Sequence, residues 1–185
     1  MANVKAMRTG TKVTTGKVRL SYAHLFEAHA IEGNDPKFSV SVIIPKTDVE
    51  TLKAVKDAVD EAKELGKTKL GKVTTNLKTP LRDGDAERPD DEAYKNCFFL
   101  NASSKNKPGV VDQNVQPILD ATEVYSGCYG RLTLNFYAFS ASGNKGVAAG
   151  LGNVQKLAEG EPLGGFSSPA SDFDSVETAT NDFLG

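Results

Sequence analysis

Two groups of residues in this 185-residue chain have types and spacings that could do chemistry. The first is a run of rings and cations between Tyr125 and Phe139 (YSGCYGRLTLNFYAF). Tyr125, Tyr129, Arg131, Tyr137 and Phe139 share one parity with Thr133 and Asn135, whereas Cys128, Gly130, Leu132, Leu134, Phe136 and Ala138 share the other. A strand turns successive side chains to opposite faces, so one face here is small and apolar and suits a core. The other sets flat π-surfaces beside a guanidinium. A single such ring is more often interior than not. The cluster as a whole fits a ligand that offers flat rings and negative charge together, as single-stranded nucleic acid does.

The second group is acidic. Asp83, Asp85, Asp90, Asp91 and Glu92 lie within LRDGDAERPDDE, and paired carboxylates are what a two-metal nuclease requires. The spacing matches no calcium loop, no histidine sits nearby, and Pro and Gly break the run, so a solvated loop is expected. A metal-dependent nuclease or resolvase using Asp83–Glu92 is the alternative. His24 and His29 lack any metal-binding context, and Cys97 and Cys128 read as buried reduced thiols, so neither metal nor cofactor is expected. The segment GVAAGLG (Gly146–Gly152) lacks the third glycine of GxGxxG and the GK[ST] of a P-loop. Its glycines read instead as close backbone packing.

Several elements must position these groups. Lys12–Tyr22 is rich in β-branched residues and predicts a strand, with Val18, Leu20 and Tyr22 on one face and Lys17, Arg19 and Ser21 on the other. Phe38–Ile44 predicts a second, whose apolar face is Phe38, Val40, Val42 and Ile44. Thr47-Asp48-Val49-Glu50 has the form of a capping box and predicts a helix to Leu65, with a stripe of Val49, Leu52, Val55, Val59 and Ala62 and Gly66 as its end. Lys95–Ala102 returns to strand, Lys105–Gly109 is a basic turn, and Ser140–Gly146 is a hairpin turn carrying Lys145.

Hydrophobic residues at 39% suffice for one core. No apolar run would span a bilayer and the N-terminus does not read as a signal peptide, so no membrane partner is expected. The net charge of −2 hides an asymmetry: 15 Lys+Arg stand against 9 Asp+Glu through Arg82, and 7 against 15 beyond it. A basic front with an acidic appendage suits a nucleic-acid binder. Residues 1–11 read as a flexible leader, 12–157 as the folded domain, and 158–185 as a disordered acidic tail without a basic residue.

RLSYAHLFE (Arg19–Glu27), FSVSVIIPKTD (Phe38–Asp48), PLRDGD (Pro80–Asp85), PGVVD (Pro108–Asp112) and YSGCYGRLTLNFYAF through GNKGVAAGLGNVQKL occur in one order over Lys12–Leu157. In these blocks the chain resembles the single-stranded DNA-binding proteins of bacteriophages that have an oligonucleotide-binding (OB) fold and an acidic tail. The resemblance implies a mainly β protein: a five-stranded Greek-key barrel with one helix and long loops, followed by the tail. It implies no enzymatic activity, binding of single-stranded DNA with little sequence preference during phage replication or recombination, and work in the cytoplasm of the infected bacterial host. The expected phosphate ligands are Lys17, Arg19, Lys37, Lys46, Lys105, Lys107, Arg131 and Lys145. Tyr22, Tyr125, Tyr129, Tyr137 and Phe139 are the expected base platforms. By similarity to bacterial and phage tails, Asp172, Phe173, Asp174, Glu177, Asp182, Phe183 and Leu184 would recruit phage or host replication proteins. Two departures from the bacterial pattern stand out: there is no tryptophan, and the chain ends in DFLG rather than in an acidic run closed by Pro-Phe. A homo-oligomer or a cooperative array on the strand fits this reading. A virion or scaffold barrel with no DNA role is the third reading.

Overall fold

The alternation that sorts Cys128 to Ala138 by parity drives the architecture. In the computed structural model, which describes residues 4–30, 33–71, 76–141, 143–163 and 173–176, these residues face one core and are at most 7% exposed. The elements in chain order are β1 (Met7–Thr9), β2 (Lys12–Thr14), β3 (Val18–His29), β4 (Lys37–Pro45), α1 (Val49–Leu65), the short α2 (Lys67–Leu70), β5 (Arg82–Asp83), α3 (Gly84–Glu87), β6 (Cys97–Ser104), β7 (Val110–Val111), β8 (Tyr129–Ala141) and β9 (Asn144–Ala158). β3 pairs antiparallel with β4, β4 with β6, and β8 with both β3 and β9. One parallel ladder, Ala102 opposite Ala149 and Ser103 opposite Gly150, joins β6 to β9 and closes the ring. The circuit β3-β4-β6-β9-β8 is the five-stranded OB barrel, in a mainly β chain with one long helix.

The core is filled from every strand of the ring, by Val18, Leu20, Leu25, Val40, Val42, Ile44, Leu100, Leu132, Leu134, Phe136, Val147 and Val154 among others. Helix α1 lays Leu52, Val55, Ala58, Val59 and Ala62 on this core. It crosses β8 so closely that a Cβ on Gly66 would come within 2.1 Å of the Ala138 Cβ. The helix begins and ends where the sequence puts it, but the cap moves by one residue. Asp48 rather than Thr47 is the N-cap, accepting from the Thr51 amide at 3.1 Å. Val49 therefore sits in the first turn outside the buried stripe and is 69% exposed, while Thr51 is buried and accepts from the Gly16 amide at 3.0 Å.

Other boundaries differ from the sequence reading. The expected strand Lys12–Tyr22 divides at Thr15–Gly16–Lys17 into β2, which pairs with β8, and β3. Residues 7–9, placed in the leader, form β1 and pair with β2. β9 runs to Ala158, one residue past the expected domain end, and residues 159–163 stay docked on the barrel. The glycines of Gly146–Gly152 do serve close approach: a Cβ at Gly146 would lie 2.2 Å from the Lys78 carbonyl oxygen, and one at Gly152 2.2 Å from Thr133 Oγ1.

Leu134 is 1% exposed in the middle of β8. Leu134→Ala should lower the free energy of unfolding by about 2–5 kcal/mol, read from the midpoint of a urea titration.

Candidate nucleic-acid interface

Paired residues on neighbouring strands turn their side chains to the same side, so the ladders assign the outer face of the barrel row by row. One outward row is Tyr129–Arg19–Ile43–Phe99. The next is Ser21–Ser41–Asn101. A third is Ser39–Ser103–Gly150–Asn135. The first row carries rings and aliphatic carbon, and the chain covers it with its own segments. The other two carry small hydrogen-bonding side chains: the second has Ser21 and Ser41 buried and opens at Asn101, and the third is exposed or half-buried throughout.

Two segments cover the first row. The acidic segment, read above as a solvated loop, packs back on β4 and β6. Tyr94 at the end of a single 3-10 turn (Glu92–Tyr94) is fully buried, meets Phe99 edge-on at 5.0 Å, and shares a 3.1 Å hydrogen bond with Ser41 Oγ. A charge clamp holds the segment: Lys46 Nζ lies 2.9 Å from Asp83 and 2.8 Å from Asp85. The ammonium holds both carboxyls below their ordinary range, and the two carboxylates, Asp85 first, hold the Lys46 ammonium above its own. Arg82 takes Glu87 in a forked pair at 2.6–3.0 Å. Among the described residues no cluster of His, Cys, Asp or Glu is arranged to hold a metal ion.

The second cover is the strap of residues 159–163. Tyr125 Oη donates to Glu159 at 2.5 Å and accepts from the Gly160 amide at 3.0 Å. Arg19 Nη2 donates to the Glu161 carbonyl at 2.7 Å, with its Nε on the Gly127 carbonyl at 3.1 Å. The Leu163 amide donates to the Ser126 carbonyl at 2.8 Å, and its side chain packs on the cluster of Ile43, Tyr94 and Phe99. Lys156, at 2.5 Å, and then the Tyr125 hydroxyl hold the Glu159 carboxyl below its ordinary 4.5. The Glu159 carboxylate in turn pushes the Tyr125 phenol up.

Where the covers stop, a groove of about 570 Å³ opens between β3, β4 and β6. Its floor is Ser39, Ser41, Asn101 and Ser103, and its walls include Tyr22, His24, His29, Lys37 and Arg88. A β-bulge between Ser21 and His24 puts Tyr22 at φ 46° and turns it out, 55% exposed. The parity reading, which set Tyr22 with buried Val18 and Leu20, fails there because the bulge resets the alternation. His24 and His29 stack at 4.3 Å with planes 10° apart. Burial, then the neighbouring His29, holds the His24 imidazole below its usual value. Two residues along β8 from Asn135, Tyr137 pairs with Ala148 and is 45% exposed. A Cβ on Gly150 would stand 3.6 Å from Tyr137 Cε1.

The structure thus divides the expected site residues. Tyr22 and Lys37 come together at the groove, and Tyr137 is exposed on β8. Lys105 and Lys107 are exposed on the turn after β6, with the Lys107 ammonium 5.9 Å from the Phe26 ring. Tyr125, Tyr129 and Arg19 are taken up by the strap, with exposed Lys17 on the Tyr129 ring at 5.1 Å. Lys46 is neutralised by Asp83 and Asp85. Arg131 is half-buried against the Lys5 carbonyl at 3.4 Å, Phe139 is half-buried, and Lys145 Nζ points to the Leu70 carbonyl at 3.4 Å. Of the tail residues, Phe173 and Asp174 are exposed; Asp172, Glu177, Asp182, Phe183 and Leu184 lie outside the described residues. Sequence reasoning missed His24, His29, Arg88, Asn101 and Ser103. The polar alternation Ser39–Ser41 was the one local signal for this floor.

The chain is similar to several solved and sequenced proteins. A family model described as the single-stranded-DNA-binding protein of Enterobacter phage Enc34 matches residues 11–184. Putative protein p50 of Acyrthosiphon pisum secondary endosymbiont phage 1 is 30% identical over 183 residues, which is 94% of this chain and 98% of that one. The structure of the Enc34 protein in complex with single-stranded DNA aligns with a TM-score of 0.68 at 26% identity, covering 88% of this chain and 99% of that one. Its C-terminally truncated form aligns at 0.70 and 25%, covering 88% and 98%. gp2.5, a single-stranded DNA-binding protein of bacteriophage T7, shares the fold with a TM-score of 0.64 at 12% identity, covering 91% and 98%.

Arg19 and Glu159 hold the strap from opposite ends. Glu159 has its pKa lowered on folding, so its tie is present above the unfolded value and lost as pH falls through the folded one. The protection factor of the Leu163 amide, its exchange rate relative to an unfolded chain at the same pH, should fall in Arg19→Ala at neutral pH, and in the wild type as pH is taken below 4.5. Unchanged protection in Arg19→Ala would show the strap to be held without the guanidinium.

Proposed function

The chain belongs to the Enc34 family of bacteriophage single-stranded-DNA-binding proteins, and from that premise we propose that it coats single-stranded DNA along the open rows of the barrel. The observation that carries the reading is the groove itself. Tyr22, Lys37 and Arg88 stand around a floor of the small polar side chains Ser39, Ser41, Asn101 and Ser103, while Tyr137 is exposed on β8 and Lys105 and Lys107 are exposed on the turn after β6. Rings stack on any base, and cations track a backbone whatever its sequence. The work is that of a non-enzymatic coat during phage DNA replication and recombination, in the cytoplasm of the infected host. Copies lie side by side on the strand as an array or homo-oligomer. The nuclease alternative loses its support, because Lys46 and Arg82 occupy Asp83, Asp85 and Glu87.

The domain reading follows the strap: a barrel of residues 12–157 is extended through Leu163, and the acidic residues 164–185 follow. Tethering keeps their carboxylates at high local concentration near the groove cations, and strand binding frees Phe173, Phe183 and Leu184 for a replication partner.

If about five phosphates are neutralised on a single strand, log affinity for an oligothymidylate should fall with log salt at a slope near −3.5. Tyr137→Ala should weaken binding by about 1–3 kcal/mol with an unchanged unfolding midpoint. A flat salt response, or a strong preference for one oligonucleotide over its scramble, would overturn the coating model.

Deleting residues 166–185 should raise affinity at low salt, by a margin that shrinks as salt screens the competition, and should abolish capture of the replication partner. A fall in affinity on truncation would mean that the tail helps hold the strand.

A further inference from the structure

The guanidinium of Arg88 lies 4.9 Å from the Tyr94 ring centroid, 5.4 Å from that of Phe99 and 5.5 Å from that of Tyr22. Each distance is within the range in which a cation is held by a ring face. Two of these rings are fixed: Tyr94 is 0% and Phe99 1% exposed, and they lock each other edge-to-face. The third, Tyr22, is exposed and sits on a backbone conformation uncommon for a residue with a side chain. Such conformations persist where surrounding contacts over-determine them, and they concentrate at functional sites.

Three acids that precede Arg88 in the chain are held by other cations. Asp83 and Asp85 bind Lys46, and Glu87 binds Arg82. Among the described residues the Arg88 side chain has neither a hydrogen bond nor an ion pair. The outcome is an oriented planar cation on a rigid aromatic seat, with its donors unused at the wall of the groove. A lysine in the same place would be a point charge without the fork that matches a phosphate.

We infer that Arg88 and Tyr22 form one nucleotide seat, in which the Arg88 fork takes a phosphate while Tyr22 stacks the adjoining base and Tyr94 and Phe99 position both. This assignment rests on the coating function proposed above and deepens it. The two residues are coupled because the guanidinium that binds the phosphate also holds the stacking ring.

The test is fluorescence titration of an oligothymidylate at several salt concentrations, using the full chain and the variants Arg88→Ala, Arg88→Lys, Tyr22→Ala, Tyr22→Phe and Arg88→Ala/Tyr22→Ala. Near-ultraviolet circular dichroism of Tyr94 and Phe99 checks the seat. Arg88→Ala should flatten the salt slope by about 0.7, the share of one phosphate on a single strand. Tyr22→Ala should weaken binding about 5- to 150-fold with the slope unchanged, and Tyr22→Phe should bind as the wild type. The double variant should lose less than the product of the single losses. Arg88→Lys should restore the slope without restoring the affinity. Independent, multiplicative losses, or an Arg88→Lys protein that matches the wild type, would overturn the seat. If Arg88→Ala fails to fold, the Arg88→Lys and Tyr22 variants decide the matter by the same readouts. A wild-type chain that does not bind the oligomer overturns the coating function itself; a binding wild type matched by Arg88→Ala overturns only the seat.

Discussion

β9 must pair with β8 along one edge and with β6 along the other, because a five-stranded barrel has no strand to spare for closure. That double pairing fixes the register of every strand in the ring. Register then decides which side chain of each alternating pair turns outward. The outward rows that carry Arg19, Ser41 or Gly150 are consequences of closure rather than of local preference. The surface of this protein is legible as rows because the ring is shut.

A small barrel that turns Tyr129, Ile43 and Phe99 outward has an apolar surface to cover. Here the chain supplies the cover twice, from the segment between β5 and β6 and from the strap after β9. Each cover brings carboxylates to a surface rich in cations, and four of them meet fixed partners: Asp83 and Asp85 at Lys46, Glu87 at Arg82, Glu159 at Lys156 and Tyr125. These exposed pairs add little to stability one by one. Their larger effect is selection. They neutralise some basic residues and leave Lys37 and Arg88 unpaired at the groove, so the distribution of free positive charge differs from the distribution of Lys and Arg in the sequence.

That selection explains how much could be read in advance. The alternation of Cys128 to Ala138, the apolar face of Phe38 to Ile44, the span of α1 and the packing role of the Gly146–Gly152 glycines were all legible, because each is a local pattern with a local cause. The parity of Tyr125, Tyr129 and Arg131 was legible too, but what covers them was not. Whether an outward ring meets solvent or a returning chain depends on contacts made far along the sequence, such as Tyr125 with Gly160 or Arg19 with Glu161. A bulge such as that at Tyr22 leaves no compositional trace, since tyrosine is an ordinary strand residue. Arg88 was passed over because its neighbours are acidic and its ring partners, Tyr22, Tyr94 and Phe99, belong to three separate stretches.

The parallel ladder has a consequence for biosynthesis. Ala102 waits for Ala149, and a ribosome adding about 5–20 residues per second needs several seconds to deliver it. During that interval β6 is an open edge, the kind that templates wrong pairing. The residues that follow it at once, Lys105, Lys107 and Pro108, are of the types that discourage such pairing. The outer row completed by Gly150 and Asn135 does not exist until β9 has emerged and closed the ring. A nascent chain is therefore without its full outer face while the message is still being read, and acquires it in a single late step.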